Sequence, residues 1–171
     1  MSESNKNQKI NNYAFIDSQN LYFAVKTLGW KIDYFRFRRY LKDKYNVTKA
    51  YMFIGFVFGN QSLYQFLQEV GFILVFKPTL TLKDGQIKGN CDAELVLHAM
   101  IEYINYDQAV IVTGDGDFHC LIEYLRQQDK FRQLIAPSQD SCSYLLRVIA
   151  GGKISFINDF KHKIVYMKNT S

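Results

Sequence analysis

The chain has 171 residues, a length that suits one domain, and 48% of them are apolar, enough to bury a sizeable core. Lys and Arg total 21 against 16 Asp and Glu, a net charge of +5 that permits a polyanionic partner without demanding one. No apolar run approaches the about 20 residues of a membrane helix, the opening stretch MSESNKNQKINN lacks the apolar core of a secretion signal, and Cys91, Cys120 and Cys142 form no CxxC pair. These features exclude a membrane span and a zinc knuckle, and they lead us to expect a cytoplasmic protein.

Residues 1–12 are polar and read as a flexible tail. Tyr13 to Asp17 is a short apolar run with the look of a buried strand. A helix is expected from Asn20 to Leu28, stopped by Gly29. Asp33 is placed to cap a second helix, Tyr34 to Tyr45. Lys49 to Phe56 reads as the next strand. Ser62 to Val70 reads as a helix with Leu63, Phe66, Leu67 and Val70 on one face and Gly71 as its stop. Phe72 to Phe76 is the third strand. A polar loop, 78–90, carries Lys83, Asp84, Gly85 and Lys88, and a long helix follows from Cys91 to Tyr106. Strands are expected at Ala109–Thr113 and Phe131–Ala136, around a helix at Phe118–Gln127. A helix at Tyr144–Ile149 and an edge strand at Ile154–Ile157 complete the series. The domain is expected to span 13–160, with 161–171 as a C-terminal tail.

Strand and helix alternate almost throughout, which argues for a parallel sheet with helices on both faces. In such sheets the active crevice lies at the carboxyl ends of the strands. Asp17 ends the first strand, and Asp115 and Asp117 follow the fourth in Ile111-Val-Thr-Gly-Asp115-Gly-Asp117-Phe118. Asp92 heads a helical stripe of positions 92, 95, 96, 99 and 103, occupied by Asp92, Leu95, Val96, Ala99 and Tyr103, which turns it toward the sheet. Glu94 and His98 lie on another face. Each aspartate has an ordinary alternative role; Asp92 and Asp117 in particular stand where helix caps are common. Together they favour a shared site. Clustered carboxylates repel one another and are costly to bury, and a hard divalent cation relieves both costs. Mg²⁺ and Mn²⁺ prefer oxygen ligands and can activate water for attack on a phosphoryl group.

Three ordered motifs, Phe15-Ile-Asp17-Ser-Gln-Asn20-Leu21-Tyr22, Lys88-Gly-Asn-Cys-Asp92 and Val112-Thr113-Gly-Asp115-Gly-Asp117-Phe118, resemble those of the NYN domains, PIN-like nucleases that include the LabA-like bacterial proteins. The resemblance covers about residues 12–158. It implies a three-layer α/β/α PIN-like, Rossmann-like fold with a mainly parallel sheet of order 3-2-1-4-5. It also implies a metal-dependent ribonuclease, endonucleolytic on single-stranded RNA. Asp17, Asp92, Asp115 and Asp117 would be the catalytic and metal residues for Mg²⁺ or Mn²⁺, with Asn20, Lys88 and Thr113 along the substrate path. RNA is the expected partner, and a homodimer is compatible with the fold. Many relatives carry a further aspartate six residues after the one matching Asp92; here that place holds His98. This departure keeps a non-catalytic RNA- or partner-binding module open as an alternative, and a nucleotide phosphohydrolase is another.

The run Tyr34-Phe-Arg36-Phe-Arg38-Arg39-Tyr40-Leu-Lys42 could grip phosphates, but a solvated amphipathic helix with Tyr34, Phe37, Leu41 and Tyr45 inward is the simpler reading. Lys77, Lys83 and Lys88 lie nearer the expected crevice. Gly151-Gly-Lys-Ile-Ser155 lacks P-loop spacing, and Asp115-Gly-Asp117 lacks the rest of a calcium loop.

Overall fold

The computed structural model describes residues 10–77, 80–81, 87–88 and 91–167, with the backbone alone for Leu80, Thr81, Ile87 and Lys88. In chain order the elements are β1 (Asn12–Asp17), α1 (Ser18–Thr27), α2 (Tyr34–Tyr45), β2 (Val47–Gly55), α3 (Gln61–Glu69), β3 (Phe72–Lys77), β4 (Leu80–Thr81), β5 (Ile87–Lys88), α4 (Asp92–Ile101), β6 (Ala109–Val112), α5 (His119–Gln127), β7 (Phe131–Ala136), α6 (Tyr144–Ala150), β8 (Ile154–Phe156) and α7 (Lys161–Ile164). Single 3₁₀ turns precede α5 and α7.

Six strands form one parallel sheet in the order β3-β2-β1-β6-β7-β8. Counted without the small antiparallel β4–β5 pair, this is 3-2-1-4-5 with a sixth strand added at the edge, and the fold is PIN-like. The central strands are buried on both faces. Alternate residues of β1 serve different layers: Tyr13 and Phe15 pack with α4, α5 and α6, while Ala14 and Ile16 pack with α1, α2, α3 and α7. On the Tyr13 and Phe15 face the core is partly built of rings: Phe15 stacks on Tyr51 at 5.6 Å, and Tyr13 and Tyr106 pack against this pair.

α2 and β7 lie where periodicity placed them, and most other elements agree within two residues. α4 differs: it stops at Ile101 instead of Tyr106. The chain then turns back, and the buried Tyr106 hydroxyl donates to the Ala99 carbonyl, tying the turn under the helix. The expected stripe survives this shortening, with Leu95 and Ala99 fully buried and Val96 and Tyr103 packed against the same core.

Residues 1–9 of the expected N-terminal tail and most of the 78–90 loop, Lys83 included, lie outside the described residues. At the other end, the segment expected as a tail is folded as far as it is described. Ile164 is buried, Val165 bridges to Ile32, and Tyr166 N–H donates to the Lys31 carbonyl.

Arg38 of α2 sits at the end of the sheet opposite the crevice. Arg38 donates to the carbonyls of Val47, Thr48 and Gly71, at the starts of β2 and β3. Arg36 pairs with Asp33 and Arg39 with Asp43. These contacts match the amphipathic-helix reading, with Phe37, Leu41 and Tyr45 buried. No helix among the described residues is long and apolar enough to cross a membrane.

Candidate metal centre

β1 and β6 are adjacent and parallel, so their carboxyl ends open at the same edge. There Asp17 leaves β1 and caps α1: its Oδ1 accepts from the Asn20 N–H at 3.0 Å. Its Oδ2 accepts from the Thr113 hydroxyl at 3.1 Å. The Thr113 oxygen in turn accepts from the Asp115 N–H at 3.1 Å. Asn20 Oδ1 closes the circuit by accepting from the Gly114 N–H at 2.9 Å. Two of these hydrogen bonds, Thr113 to Asp17 and Gly114 to Asn20, fasten the end of β1 to the turn after β6, and the other two set the local geometry on each side.

That turn, Gly114–Asp117, carries the next two carboxylates. Asp115 caps the 3₁₀ turn, with Oδ1 accepting from the Asp117 N–H at 3.0 Å. Asp117 projects from the turn and is exposed. Asp92 arrives from a third direction, as the first residue of α4. One carboxylate oxygen each from Asp92, Asp115 and Asp117 lies within 4.8 Å of the others. Neither Asp92 nor Asp117 is the residue that caps its helix; Cys91 and Phe118 hold those places without side-chain bonds. The capping aspartates are Asp17 and Asp115, and each caps with one oxygen.

Asp17 stands beside this trio and is 8% exposed. Burial raises its carboxyl above the ordinary range. The bonds from Asn20 and Thr113 act against that rise, and the charges of Asp92 and Asp115 add to it. For an acid raised in the folded state, stability is lost as pH climbs from the unfolded value through the folded one. Above that folded value the metal-free fold carries the full cost of the charge. Asparagine at position 17 keeps the Oδ1 cap, removes the charge and gives up only the acceptor for the Thr113 hydroxyl, a bond worth about 1 kcal/mol. In EDTA at pH 7, Asp17→Asn should melt no lower than the natural chain by calorimetry. A clear drop would show that the charge is not a burden.

The donor set fits a hard divalent cation. All three converging groups are carboxylates. One oxygen from each lies within 4.8 Å of the others, so Asp92, Asp115 and Asp117 would together hold such an ion. A cation would also offset the mutual repulsion of these charges and the burden on Asp17.

The remaining expected residues are placed differently. Thr113 is fully buried, and its hydroxyl is engaged by Asp17 and Asp115, behind the carboxylates. Asn20 is half-buried and braces Gly114. Lys88 lies in β5, but its side chain is outside the described residues. Lys77, at the carboxyl end of β3, reaches Glu94 Oε2 at 3.3 Å. His98 does not stand in for a carboxylate: Nδ1 lies 3.0 Å from the Glu94 carbonyl, and the ring packs 5.4 Å from Phe53 and 6.3 Å from Tyr51.

Sequence reasoning missed Ser141 and Ser143. A β-carbon on Gly114 would lie 2.6 Å from the Ser141 carbonyl oxygen, and one on Gly116 would lie 2.7 Å from Ser143 Oγ. Ser143 N–H also donates to the Gly114 carbonyl at 2.9 Å. The 137–143 loop presses on the acidic turn, and its serines carried no motif that would have marked them.

Comparisons with known proteins agree with this architecture. A crystal structure of a protein of unknown function from Vibrio parahaemolyticus RIMD 2210633 superposes with a TM-score of 0.77. It covers 94% of this chain and 98% of that one at 23% identity, a likeness of fold. The low amplitude and bright protein LabA of Synechococcus elongatus is 27% identical over 122 residues, and the match spans 66% of this chain and 66% of LabA. The family model of the NYN domain matches residues 13–150, a stretch that holds all four aspartates and both sides of the crevice, and by that match the chain belongs to the NYN domain family of PIN-like nucleases.

Proposed function

We propose that this protein is a metal-dependent endoribonuclease acting on single-stranded RNA. The observation that carries the reading is the meeting of Asp92, Asp115 and Asp117, from two separate elements, within 4.8 Å at the carboxyl edge of the sheet. The family supports a nuclease; the choice of RNA, of internal cleavage and of Mg²⁺ or Mn²⁺ is our own.

Asp92, Asp115 and Asp117 would hold the cation, and Asp17 would complete the set directly or through a water. When bound, the ion would stabilise charge gathering on the phosphoryl group and make water a better nucleophile. The rest falls to the chain itself. Thr113 fixes the orientation of Asp17 by donating to Oδ2. Asn20 holds the Gly114 amide, and so the direction of the acidic turn. Asp115 Oδ1 fixes the Asp117 amide and leaves its second oxygen for the site. Asp117 is the most exposed of the four and so the one most open to an incoming strand. Lys88 is proposed to meet a backbone phosphate from the 78–90 loop.

The test is cleavage of end-labelled single-stranded RNA in Mn²⁺ by the natural chain and by Asp117→Asn. We expect internal products from the first and at least a hundredfold slower cutting by the second. Equal rates would mean that another site or a contaminant cuts.

A further inference from the structure

A cavity lies on the flank of α1, outside the cluster of aspartates. It has a volume of about 540 Å³, in the range of small-molecule sites. Tyr22 and Lys26 line it from α1, Trp30 and Lys31 from the connection into α2, Tyr34 from the first turn of α2, and Leu63 from α3. Three rings therefore share one concavity, and every charged residue on its described wall is a lysine. Lys26 Nζ stands 5.8 Å from the centre of the Tyr22 ring, and Lys161 Nζ, outside the lining, stands 5.5 Å from the Trp30 ring. The Trp30 Nε1–H is buried and has no acceptor among the described residues. Tyr22 itself is half-exposed and available for stacking.

We propose that this cavity binds a nucleobase that carries a phosphate, with the base stacked on the exposed Tyr22 ring and set against the buried Trp30 at the cavity wall, and the phosphate toward Lys26 and Lys31. Aromatic faces accept any base, and lysines neutralise the phosphate without demanding a sequence. An uncharged apolar ligand would leave the lysines unused, and an acidic peptide would leave the rings without a flat partner. The ligand is either a free nucleotide or one unit of an RNA strand. Tyr22 lies five residues beyond Asp17, about 7.5 Å along the helix axis, so a strand seated here would pass close to the acidic edge. The proposal does not require cleavage at that edge.

Trp30 is the sole tryptophan of the chain, so its fluorescence reports on this cavity directly. The titration is done in EDTA with full-length protein, using AMP, UMP, adenosine and a five-residue oligouridylate. A saturable change with both nucleotides is expected, weaker by about fivefold or more with adenosine. Tyr22→Ala should weaken nucleotide binding about tenfold, and the double change Lys26→Ala and Lys31→Ala should weaken it by a similar factor while leaving adenosine little changed. Both Tyr22 and the lysines are exposed, and unchanged far-ultraviolet dichroism confirms folding. Asp117→Asn should bind as the natural chain does, so a failed nuclease reading and a failed cavity reading are told apart. If the oligonucleotide binds at least tenfold tighter than UMP, the cavity is a subsite for a strand; equal affinities point to a free nucleotide. Absence of any saturable change, or equal affinity in Tyr22→Ala, would overturn the proposal.

Discussion

Asp115→Asn is expected to lower metal-dependent cleavage by about a thousandfold while leaving the fold intact. Asparagine retains an oxygen to accept the Asp117 N–H, so the cap on the 3₁₀ turn survives. What is lost is one negative charge among three converging donors. A bound metal supplies several kcal/mol of transition-state stabilisation, and each 1.36 kcal/mol is about tenfold in rate. Asp115→Ala removes charge and cap together. It should lose the same activity and, in addition, about 1 kcal/mol of stability. Parallel rate and melting measurements separate the two effects. If Asp115→Asn cuts as well as the natural chain, the carboxylate is a structural cap and nothing more.

Gly114→Ala should damage both stability and activity, although it removes no functional group. The new methyl would sit 2.6 Å from the Ser141 carbonyl and 3.4 Å from both Asn20 Oδ1 and Pro137 Cδ. Backbone must move to relieve the first contact. Gly114 also donates to Asn20 and accepts from Ser143, so that movement strains two hydrogen bonds. Overpacking costs about 1–3 kcal/mol and each weakened bond about 1 kcal/mol. A loss of roughly 2–4 kcal/mol is expected, a drop of about 5–15 °C at this size, with at least tenfold slower cutting because Asp115 and Asp117 ride on the displaced turn. Gly152→Ala is the control. Nothing lies within 4 Å of its added methyl, and its melting temperature should hardly change. Equal melting of the two variants would show that the loop yields freely.

The sequence carried the sheet well because strand identity is a local property. Ala109–Val112 and Phe131–Ala136 are apolar runs of strand length, and the parallel order follows from their alternation with helices. It carried the acidic edge well for a related reason: a strand end and a strand-following turn are positions that topology alone brings together. Division of labour among the aspartates was less legible. Asp117 looked like a cap and is not one, while Asp17 and Asp115 are. Which aspartate caps depends on backbone angles at one residue, and these leave no mark in composition. Thr113 looked like a substrate contact, yet its hydroxyl joins Asp17 to the Asp115 amide across two strands. The glycines of the turn were expected for backbone freedom. Gly114 answers instead to the Ser141 carbonyl, 27 residues away in sequence, and no local pattern records that approach. The 161–167 segment is a single helical turn with one buried anchor, Ile164, too short to show a period.

The most direct test is Mn²⁺ binding followed by the electron paramagnetic resonance signal of the free ion. The natural chain should deplete that signal saturably, and Asp92→Asn and Asp115→Asn should each bind at least tenfold more weakly, because separate elements supply donors to one ion. Unchanged binding in both variants, or no depletion by the natural chain, would contradict a cation centre built from these aspartates.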